Sequence, residues 1–343
     1  MQERSARRRN GATIADVARQ AGVSPMTVSR VINGDAHVSE AKRAAVTAAI
    51  RALNYAPNPA ARSLAAGRLV RLGLLYANPS AAYLSEFLVG ALDQCRARHV
   101  QLVLEQCGAG EEAAAVERLL ASGVDGLILP PPLCDSEPVL GALQASGAPA
   151  VAVATGRARE EISTVRIDDR GAARVMTEHL LRLGHRRIGF IAGHPNQTAS
   201  AERLAGYRAA LAASGTAFDP QLVVQGYFTF RSGWEAAERL LDLGAPPTAI
   251  FAANDDMAAA VVAVAHRRGL DVPRALSVCG FDDSAQATNV WPELTTVRQP
   301  IAEMAREAVL LLAAGLQAPG DAVADRLLPH ALIRRSSDAP PSP

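Results

Sequence analysis

Two adjacent pairs of aspartates are the residues of this sequence best suited to acid–base chemistry. Asp255 and Asp256 follow one apolar run, and Asp282 and Asp283 follow another. A glycoside hydrolase places two carboxylates on either side of the bond that it cleaves. Neighbouring side chains on an extended segment point apart, so one member of each pair is expected to cap or pack instead. The pairs therefore do not support catalysis. Turnover of a bound sugar by the purified protein is the observation that would restore the enzyme hypothesis.

Other sequence motifs that carry catalysis or cofactor binding are missing. There is no Gly-x-Gly-x-x-Gly after a strand, no Gly-x-x-x-x-Gly-Lys loop, no Gly-x-Ser-x-Gly elbow and no His-Glu-x-x-His. The four cysteines are far apart and have no histidines at metal-ligand spacing, which favours buried, reduced thiols. We therefore predict that the protein is not an enzyme and takes no metal or cofactor.

A set of short polar residues near the N-terminus is suited to phosphate oxygens, because such groups stand beside helix N-termini or turns. The set is Thr13, Ser24, Thr27, Ser29, Asn33 and His37. For Thr13 and Ser24 the alternative is plain N-capping, which is compatible with a phosphate contact.

Three short helices are predicted between residues 13 and 53, each opened by Thr or Ser. In the first helix, apolar residues recur at helical spacing from Ile14 to Ala21, and Gly22 can stop it. Ser24 then opens a second helix with Pro25 at its first position. This is the pattern of a helix-turn-helix.

Charge is concentrated in the same region. Residues 1–66 hold ten Arg or Lys and four Asp or Glu, a net +6, while the remaining residues carry −5. A basic segment on a mildly acidic remainder is typical of a nucleic-acid-binding module joined to a domain with another task. The alternative is a solvated basic tail.

From Val70 onward, apolar runs such as VRLGLLY, RIGFIAG and TAIFAAN alternate with amphipathic segments. This alternation predicts α/β architecture with parallel sheets. The segment contains about nine predicted strands, which we expect to be divided between two sheets rather than crowded into one. No run approaches the length of a membrane span, and no signal-peptide core follows the arginines near the start, so a cytoplasmic protein is predicted.

Long segments of the sequence resemble the lactose-repressor (LacI/GalR) family of bacterial transcriptional regulators. They are TIADVARQAGVSPMTVSRVINGDAHVSEAKRAAVTAAIRALNYAPNPAARSLA, GHRRIGFIAG, ERLAGYRAAL, AIFAANDDMAAAVV, VPRALSVCGFDD and LTTVRQP. The resemblance covers nearly the whole chain. It implies an all-α helix-turn-helix DNA-binding head followed by an α/β effector domain of two subdomains, similar to the type I periplasmic binding proteins.

The resemblance also implies the domain limits. A disordered basic tail is expected at 1–10, the head at 11–57, a hinge helix at 58–68, the effector and dimerisation domain at 69–335 and a disordered tail at 336–343. The chain is expected to cross between subdomains near Asp168, Thr295 and Leu328.

In the head, the resemblance places the helix from Ser24 in the major groove, with Pro25, Met26 and Arg30 facing base edges. The forked guanidinium of Arg30 suits guanine O6 and N7, and a phosphate contact is the alternative. In the hinge it matches Leu64 to a leucine that enters the minor groove of operator DNA. Asn58 at the start of that helix and Ala61 on its close-packed face also fit.

In the effector domain, four residues carry over to the ligand cleft: Arg203, Phe228, Asn254 and Asp282. Their chemistry suits a polyol. Structural alternatives are an ion pair of Arg203 and Asp282, and core packing of Phe228. Further candidates are Tyr76, Asn78, Tyr83, Asp168 and Gln299. The segment YANPSAAYLSE, which forms one wall of the expected pocket, departs from the commoner NPFF pattern.

The function that the resemblance implies is that of a homodimeric repressor of carbohydrate-utilisation genes, bound to a palindromic operator on the bacterial nucleoid. A sugar or sugar phosphate would release it. A regulator whose ligand strengthens DNA binding is the alternative. A sugar receptor feeding a transporter would need a secretory signal and no DNA-binding head.

Overall fold

The chain divides into two compact units, Met1–Leu69 and Val70–Pro343, which we call the N-terminal unit and the C-terminal unit. A computed structural model describes residues 14–32, 38–53, 69–317 and 323–342 of the chain. Each unit has a hydrophobic cluster of its own.

The N-terminal unit contains three helices around a small core. They are α1 (Ile14–Ala21), α2 (Pro25–Ile32) and α3 (Glu40–Ala52). Gly22 ends α1 in the left-handed region, with φ at 64°, where glycine carries no steric penalty. The core consists of Val17, Ala18, Val28, Val46 and Ala49. The small Ala18 lets α1 pack closely, and the predicted helix-turn-helix is confirmed.

The C-terminal unit begins with a run of alternating strands and helices, which we call the first subdomain. In chain order they are β1 (Arg71–Tyr76), α4 (Ala81–Arg98), β2 (Gln101–Gln106), α5 (Glu112–Ala121), β3 (Gly126–Leu129), α6 (Glu137–Ser146), β4 (Ala150–Val153) and β5 (Ser163–Ile167). The apolar run of β3 is buried along its whole length, as expected of a strand covered on both faces.

A second set of alternating elements forms the second subdomain. It comprises α7 (Asp169–Arg182), β6 (Ile188–Ala192), α8 (Thr198–Ala213), β7 (Val223–Gln225), α9 (Phe230–Leu241), β8 (Ala249–Ala252), α10 (Asp255–Arg267), β9 (Ser277–Cys279), α11 (Gln286–Asn289) and β10 (Thr296–Arg298). The chain then continues through α12 (Ile301–Gln317), β11 (Asp325–Leu328) and β12 (Ala331–Ile333).

The strands form two parallel sheets and one antiparallel pair. The first sheet has the order β11-β5-β4-β3-β1-β2, and the second has the order β7-β6-β8-β9. Strands β10 and β12 pair with each other. The chain leaves the first sheet after Ile167 and rejoins it at β11 after α12, which packs on α4. It leaves again after Leu328.

The chain thus leaves the first sheet beside the crossings expected at Asp168 and Leu328. The crossing expected near Thr295 falls in the stretch between β9 and β11. The α/β fold with parallel sheets is confirmed. In the described part of the chain, no helix is long and apolar enough to cross a membrane. All four cysteines are free and buried, as predicted.

The expectation of a disordered tail at 336–343 is wrong for the described residues 336–342. Ser337 is fully buried, and its hydroxyl donates to the Val278 carbonyl (2.5 Å) and accepts from the Thr295 amide (2.9 Å). Asp338 pairs with His179 at 2.6 Å. The segment is polar and rich in proline, so its pattern predicts exposure to solvent. Hydrogen bonds to residues that are distant in the sequence hold it in place instead.

Candidate functional site

The exposed face of α2 carries the three residues predicted to read bases. Pro25, Met26 and Arg30 are exposed, whereas Val28 is fully buried in the core of the N-terminal unit. Met26 leaves 68% of its surface exposed, and Arg30 lies one helical turn further along the same face. The face therefore presents an apolar group beside a cation.

Ser24 caps α2, which is the structural alternative given for it above. Its hydroxyl accepts a hydrogen bond from the Thr27 amide at 3.2 Å and lies 2.9 Å from the Thr27 hydroxyl. Ser29 belongs to α2, and its side chain lies outside what the structure describes. The other predicted DNA-contacting residues also lie outside the described residues: Thr13, Asn33, His37, Asn58, Ala61 and Leu64.

A pocket lies between the two subdomains of the C-terminal unit, with about 420 Å³ of atom-free space that includes its open mouth. It forms where strands of both sheets end, as is usual for ligand sites in open α/β sheets. The lining residues are Asn78, Pro79, Ser80, Tyr83, Pro131, Ala154, Gln197, Ala199, Arg203, Phe228, Asn254, Asp282 and Gln299. All four principal effector candidates are therefore brought together.

Arg203 projects from α8 into the base of the pocket and is tightly engaged there. Its Nε donates to Asp169 Oδ1 at 2.8 Å, and its Nη1 donates to the Ala253 carbonyl at 2.6 Å. The guanidinium lies 3.6 Å from the centre of the Phe281 ring. Burial raises the pKa of Asp169, although its contact with Arg203 opposes the rise. The close ion-pair partner of Arg203 is thus Asp169, which the sequence did not indicate, and the pair with Asp282 given above as the structural alternative is longer, at 3.8 Å.

Asp282 lies 3.8 Å from Arg203, with its backbone in the positive-φ region at 116°. This strained conformation turns the carboxylate into the pocket. Gln299 Nε2 donates to Asp282 Oδ1 at 2.6 Å. Burial raises the pKa of Asp282 to about 7, against the opposing effects of Arg203 and Gln299.

Phe228 covers the wall formed by Gly193. Its backbone is left-handed, with φ at 60°, and a Cβ on Gly193 would lie 1.9 Å from the ring's Cζ. Asn254 fixes the turn, because its Nδ2 donates to the Phe228 carbonyl at 3.1 Å while its Oδ1 caps α10 at Met257. The bond from Asn254 to the Phe228 carbonyl thus fixes the backbone that carries the ring.

Two buried polar atoms in the pocket have no hydrogen-bond partner among the described residues: the Tyr83 hydroxyl and Gln299 Oε1. Burial raises the pKa of Tyr83 well above its usual value, so the phenol stays protonated and can donate. Buried polar groups without partners are rare in folded proteins. One donor and one acceptor of the residues that line the pocket are therefore unsatisfied.

Two of the five further candidates do not line the pocket. Asp168 caps α7, its Oδ1 accepting from the Gly171 amide at 2.9 Å, and Tyr76 ends β1 outside the lining. Asn78, Tyr83 and Gln299 do line it. Sequence reasoning missed the other lining residues: Pro79, Ser80, Pro131, Ala154, Gln197 and Ala199. Ser80 caps α4, because its hydroxyl accepts from the Tyr83 amide. In a sequence, a serine before a helix indicates only such a cap.

The aspartate pairs point apart, as predicted. Asp255 is buried away from the pocket lining and accepts from the Ser284 amide (2.8 Å) and the Thr296 hydroxyl (2.7 Å). Asp283 pairs with Arg298 at 2.6 Å and with Arg335 at 2.5 Å. Of these four carboxylates, only Asp282 lines the pocket.

A polar bridge joins the two subdomains beside the pocket. Asp135, at the end of the 3-10 turn Leu133–Asp135, accepts from both the amide and the hydroxyl of Thr198 at 2.9 Å. Its other oxygen accepts from Thr155 at 2.9 Å. Gln197, the residue before α8, makes no capping bond of its own. Asp135 of the first subdomain therefore caps α8 of the second.

Comparisons with known proteins agree with both units. Residues 13–58 match the model of the lacI family of bacterial regulatory proteins, and residues 177–337 match a periplasmic binding protein-like domain. The transcriptional regulator AscG of Escherichia coli is 36% identical over 96% of this chain and 99% of its own length. The regulator CelR of Thermobifida fusca is 39% identical over 89% of this chain and 92% of its own.

Solved structures give the same result. The lac repressor dimer bound to operator and the anti-inducer ONPF has a TM-score of 0.79 and 29% identity, covering 96% of this chain and 100% of that one. A complex of CelR with cellobiose has a TM-score of 0.74 and 35% identity, covering 95% and 99% of the two chains.

A helix-turn-helix unit followed by two α/β subdomains around a cleft defines a DNA-binding transcriptional regulator with a ligand-binding fold. The chain belongs to the lacI family of bacterial regulatory proteins. The resemblance stated from the sequence is thereby confirmed, and so is the prediction that the protein is a regulator rather than an enzyme.

Proposed function

We propose that this regulator represses carbohydrate-utilisation genes and leaves its operator when a sugar fills the cleft. The observation that carries the proposal is the pair of unpartnered atoms, Tyr83 Oη and Gln299 Oε1, in a pocket that also holds Arg203, Asp282 and Phe228. A hydroxyl both donates and accepts, and a sugar ring has an apolar face for an aromatic side chain. The known complex of CelR with cellobiose supports this choice.

On DNA, α2 enters the major groove. Arg30 donates to guanine or, as the alternative, to a phosphate, while Pro25 and Met26 contact thymine methyl groups. The phosphate contacts are assigned to Thr13, Ser24, Thr27, Ser29, Asn33 and His37. The hinge roles of Asn58, Ala61 and Leu64 rest on the family resemblance.

A homodimer reads a pseudo-palindromic operator, because the symmetry of the protein is mirrored in the DNA half-sites. The dimeric lac repressor–operator complex supports this arrangement. Operator binding also places the protein in the cytoplasm at the nucleoid.

The cleft couples the two sites because its walls belong to different subdomains. A ligand that favours one relative placement of the subdomains changes the affinity for DNA, and DNA changes the affinity for the ligand by the same factor.

The test is to select fragments of the source genome on the purified, effector-free protein and to sequence those retained. We expect a short palindrome beside genes for sugar uptake or glycoside cleavage. Arg30→Ala is the matched control, and it should weaken enrichment and relax the preference at one base pair per half-site. Enrichment without any common sequence would contradict specific operator binding.

The second candidate, a regulator whose ligand strengthens DNA binding, predicts a different result. Enrichment would then appear only after a small molecule is added. Adding cellobiose, or another sugar that binds, to the retained complexes tells the two apart, since our proposal requires release.

A further inference from the structure

Only one positively charged side chain, Arg203, lines the pocket in the described part of the chain. Its guanidinium already donates to the Asp169 carboxylate and to the Ala253 carbonyl, and it is 4% exposed. A ligand can add to these bonds, but it does not meet an unneutralised cation. The pocket therefore offers no counter-ion to an anionic ligand.

Further negative charge surrounds this arginine. Asp282 lies 3.8 Å from it on the pocket side, so two carboxylates flank one guanidinium. The arginines of the neighbouring ion pairs do not belong to the pocket lining: Arg159 pairs with Asp135, and Arg157 and Arg170 share the carboxylate of Glu202. Where Asp282 is ionised, above about pH 7, burying a phosphate or carboxylate beside it would leave a charge uncompensated in a low-dielectric site, which is strongly unfavourable.

The hydrogen-bonding atoms of the pocket define what it accepts. Because Gln299 Nε2 donates to Asp282, the orientation of the amide is fixed, and Oε1 must be the atom left without a partner. Gln299 Oε1 and the Asp282 carboxylate are neighbouring acceptors, and the Tyr83 hydroxyl is a donor. Adjacent hydroxyl groups on one ligand satisfy all three.

We propose that the pocket selects an uncharged polyol, presented as adjacent hydroxyls to Asp282 and Gln299, and rejects the phosphorylated or carboxylate-bearing form of the same sugar. This inference rests on the proposed effector function of the pocket. It decides between the sugar and the sugar phosphate that the sequence left open. Asp169 is the residue that sets the selection, because it neutralises Arg203 from behind.

The test uses the full chain and matched pairs of ligands: glucose with glucose 6-phosphate, ribose with ribose 5-phosphate, and cellobiose with its 6-phosphate. Melting temperature and calorimetric titration are measured at constant ionic strength. We expect a neutral member to stabilise the protein and its phosphorylated partner to bind at least about tenfold more weakly. Phe228→Ala should abolish the shift, which assigns binding to this pocket.

A second variant tests the cause of the selection. Asp169→Asn removes the charge behind Arg203 while keeping a side chain of the same size. With only Asp282 left to neutralise Arg203, inorganic phosphate should raise the melting temperature of this variant more than it raises that of the wild-type protein at the same ionic strength. A cooperative melting transition verifies that the variant is folded. No greater gain from phosphate in the folded variant than in the wild-type protein would overturn the role of Asp169.

The outcomes separate this inference from the function on which it rests. If a phosphorylated sugar binds the wild-type protein as tightly as its neutral partner, and Phe228→Ala abolishes that binding, the charge selection is wrong and the effector pocket stands. If no member of any pair stabilises the wild-type protein, the effector pocket and the selection both fail.

Discussion

Phe228 keeps its place in the pocket because residue 193 has no side chain. Gly193→Ala would put a Cβ 1.9 Å from Phe228 Cζ, so the ring or the loop must move. We expect a loss of about 1 to 3 kcal/mol in the free energy of unfolding, measured by urea denaturation. Gly141→Ala is the control, because it lies in α6 with open space around it and should be neutral or stabilising by up to about 1 kcal/mol. Equal effects of the two substitutions would contradict the close contact.

Asp282 should make the protein less stable as pH rises. Its pKa is raised from 3.8 to about 7 in the folded chain by burial, so between these values the folded state binds more protons than the unfolded state. Stability therefore falls between about pH 4 and pH 7. Asp282→Asn removes this titration and keeps the bond from Gln299. Urea denaturation across this range measures the unfolding free energy of both proteins. As pH rises, the unfolding free energy of the wild type should fall relative to that of the variant. A difference that does not vary with pH would refute the assignment.

Elements with a strong local pattern were predictable from the sequence, and contacts between distant segments were not. Ile14–Ala21 shows helical spacing and a glycine stop, and β3 is a continuous apolar run, so both follow from short-range patterns. Asn254 could be placed in the cleft because the family resemblance carries it over. Ala154 lines the pocket with a left-handed backbone, and nothing in its neighbours' pattern distinguishes it from any other small residue after a strand.

The bridge between the subdomains is made of such distant contacts, and the bond from the Thr198 amide to Asp135 joins residues 63 apart in the chain. Asp135→Ala removes the acceptor of the Thr198 amide and frees the N-terminus of α8. We expect that amide to exchange with deuterium about tenfold faster or more, together with a larger radius of gyration in small-angle scattering.

Ser136→Ala is the matched control for the bridge, because Ser136 caps α6 within its own subdomain. It should cost about 1 kcal/mol of stability and leave exchange at Thr198 unchanged. Equal exchange at Thr198 in both variants would contradict a bridge that holds the cleft together.

The molecule as a whole separates its two tasks by charge and by construction. The basic N-terminal region carries +6 and the remainder −5, which draws one end of the chain towards DNA. In the C-terminal unit the chain passes between the subdomains three times. Several connecting segments, rather than one linker, therefore join them.

The last described segment completes the second subdomain from a distance. Ser337 bonds to Val278 and Thr295, and the carbonyl of Ala339 accepts from Ser277 at 3.0 Å and lies 2.9 Å from His185 Nε2. A chain that ends at Ser336 loses all of these bonds, whereas a chain that ends at Ala339 keeps them. We expect the shorter chain to lose about 3 to 5 kcal/mol of unfolding free energy relative to the longer one, since each net hydrogen bond contributes about 1 kcal/mol. Urea denaturation of both chains measures the difference. Identical denaturation midpoints would mean that the segment only rests on the surface. The buried Ser337 and the ion pair of Asp338 with His179 argue instead that the segment is a structural strap. Its loss should loosen the cleft wall formed by Asp282.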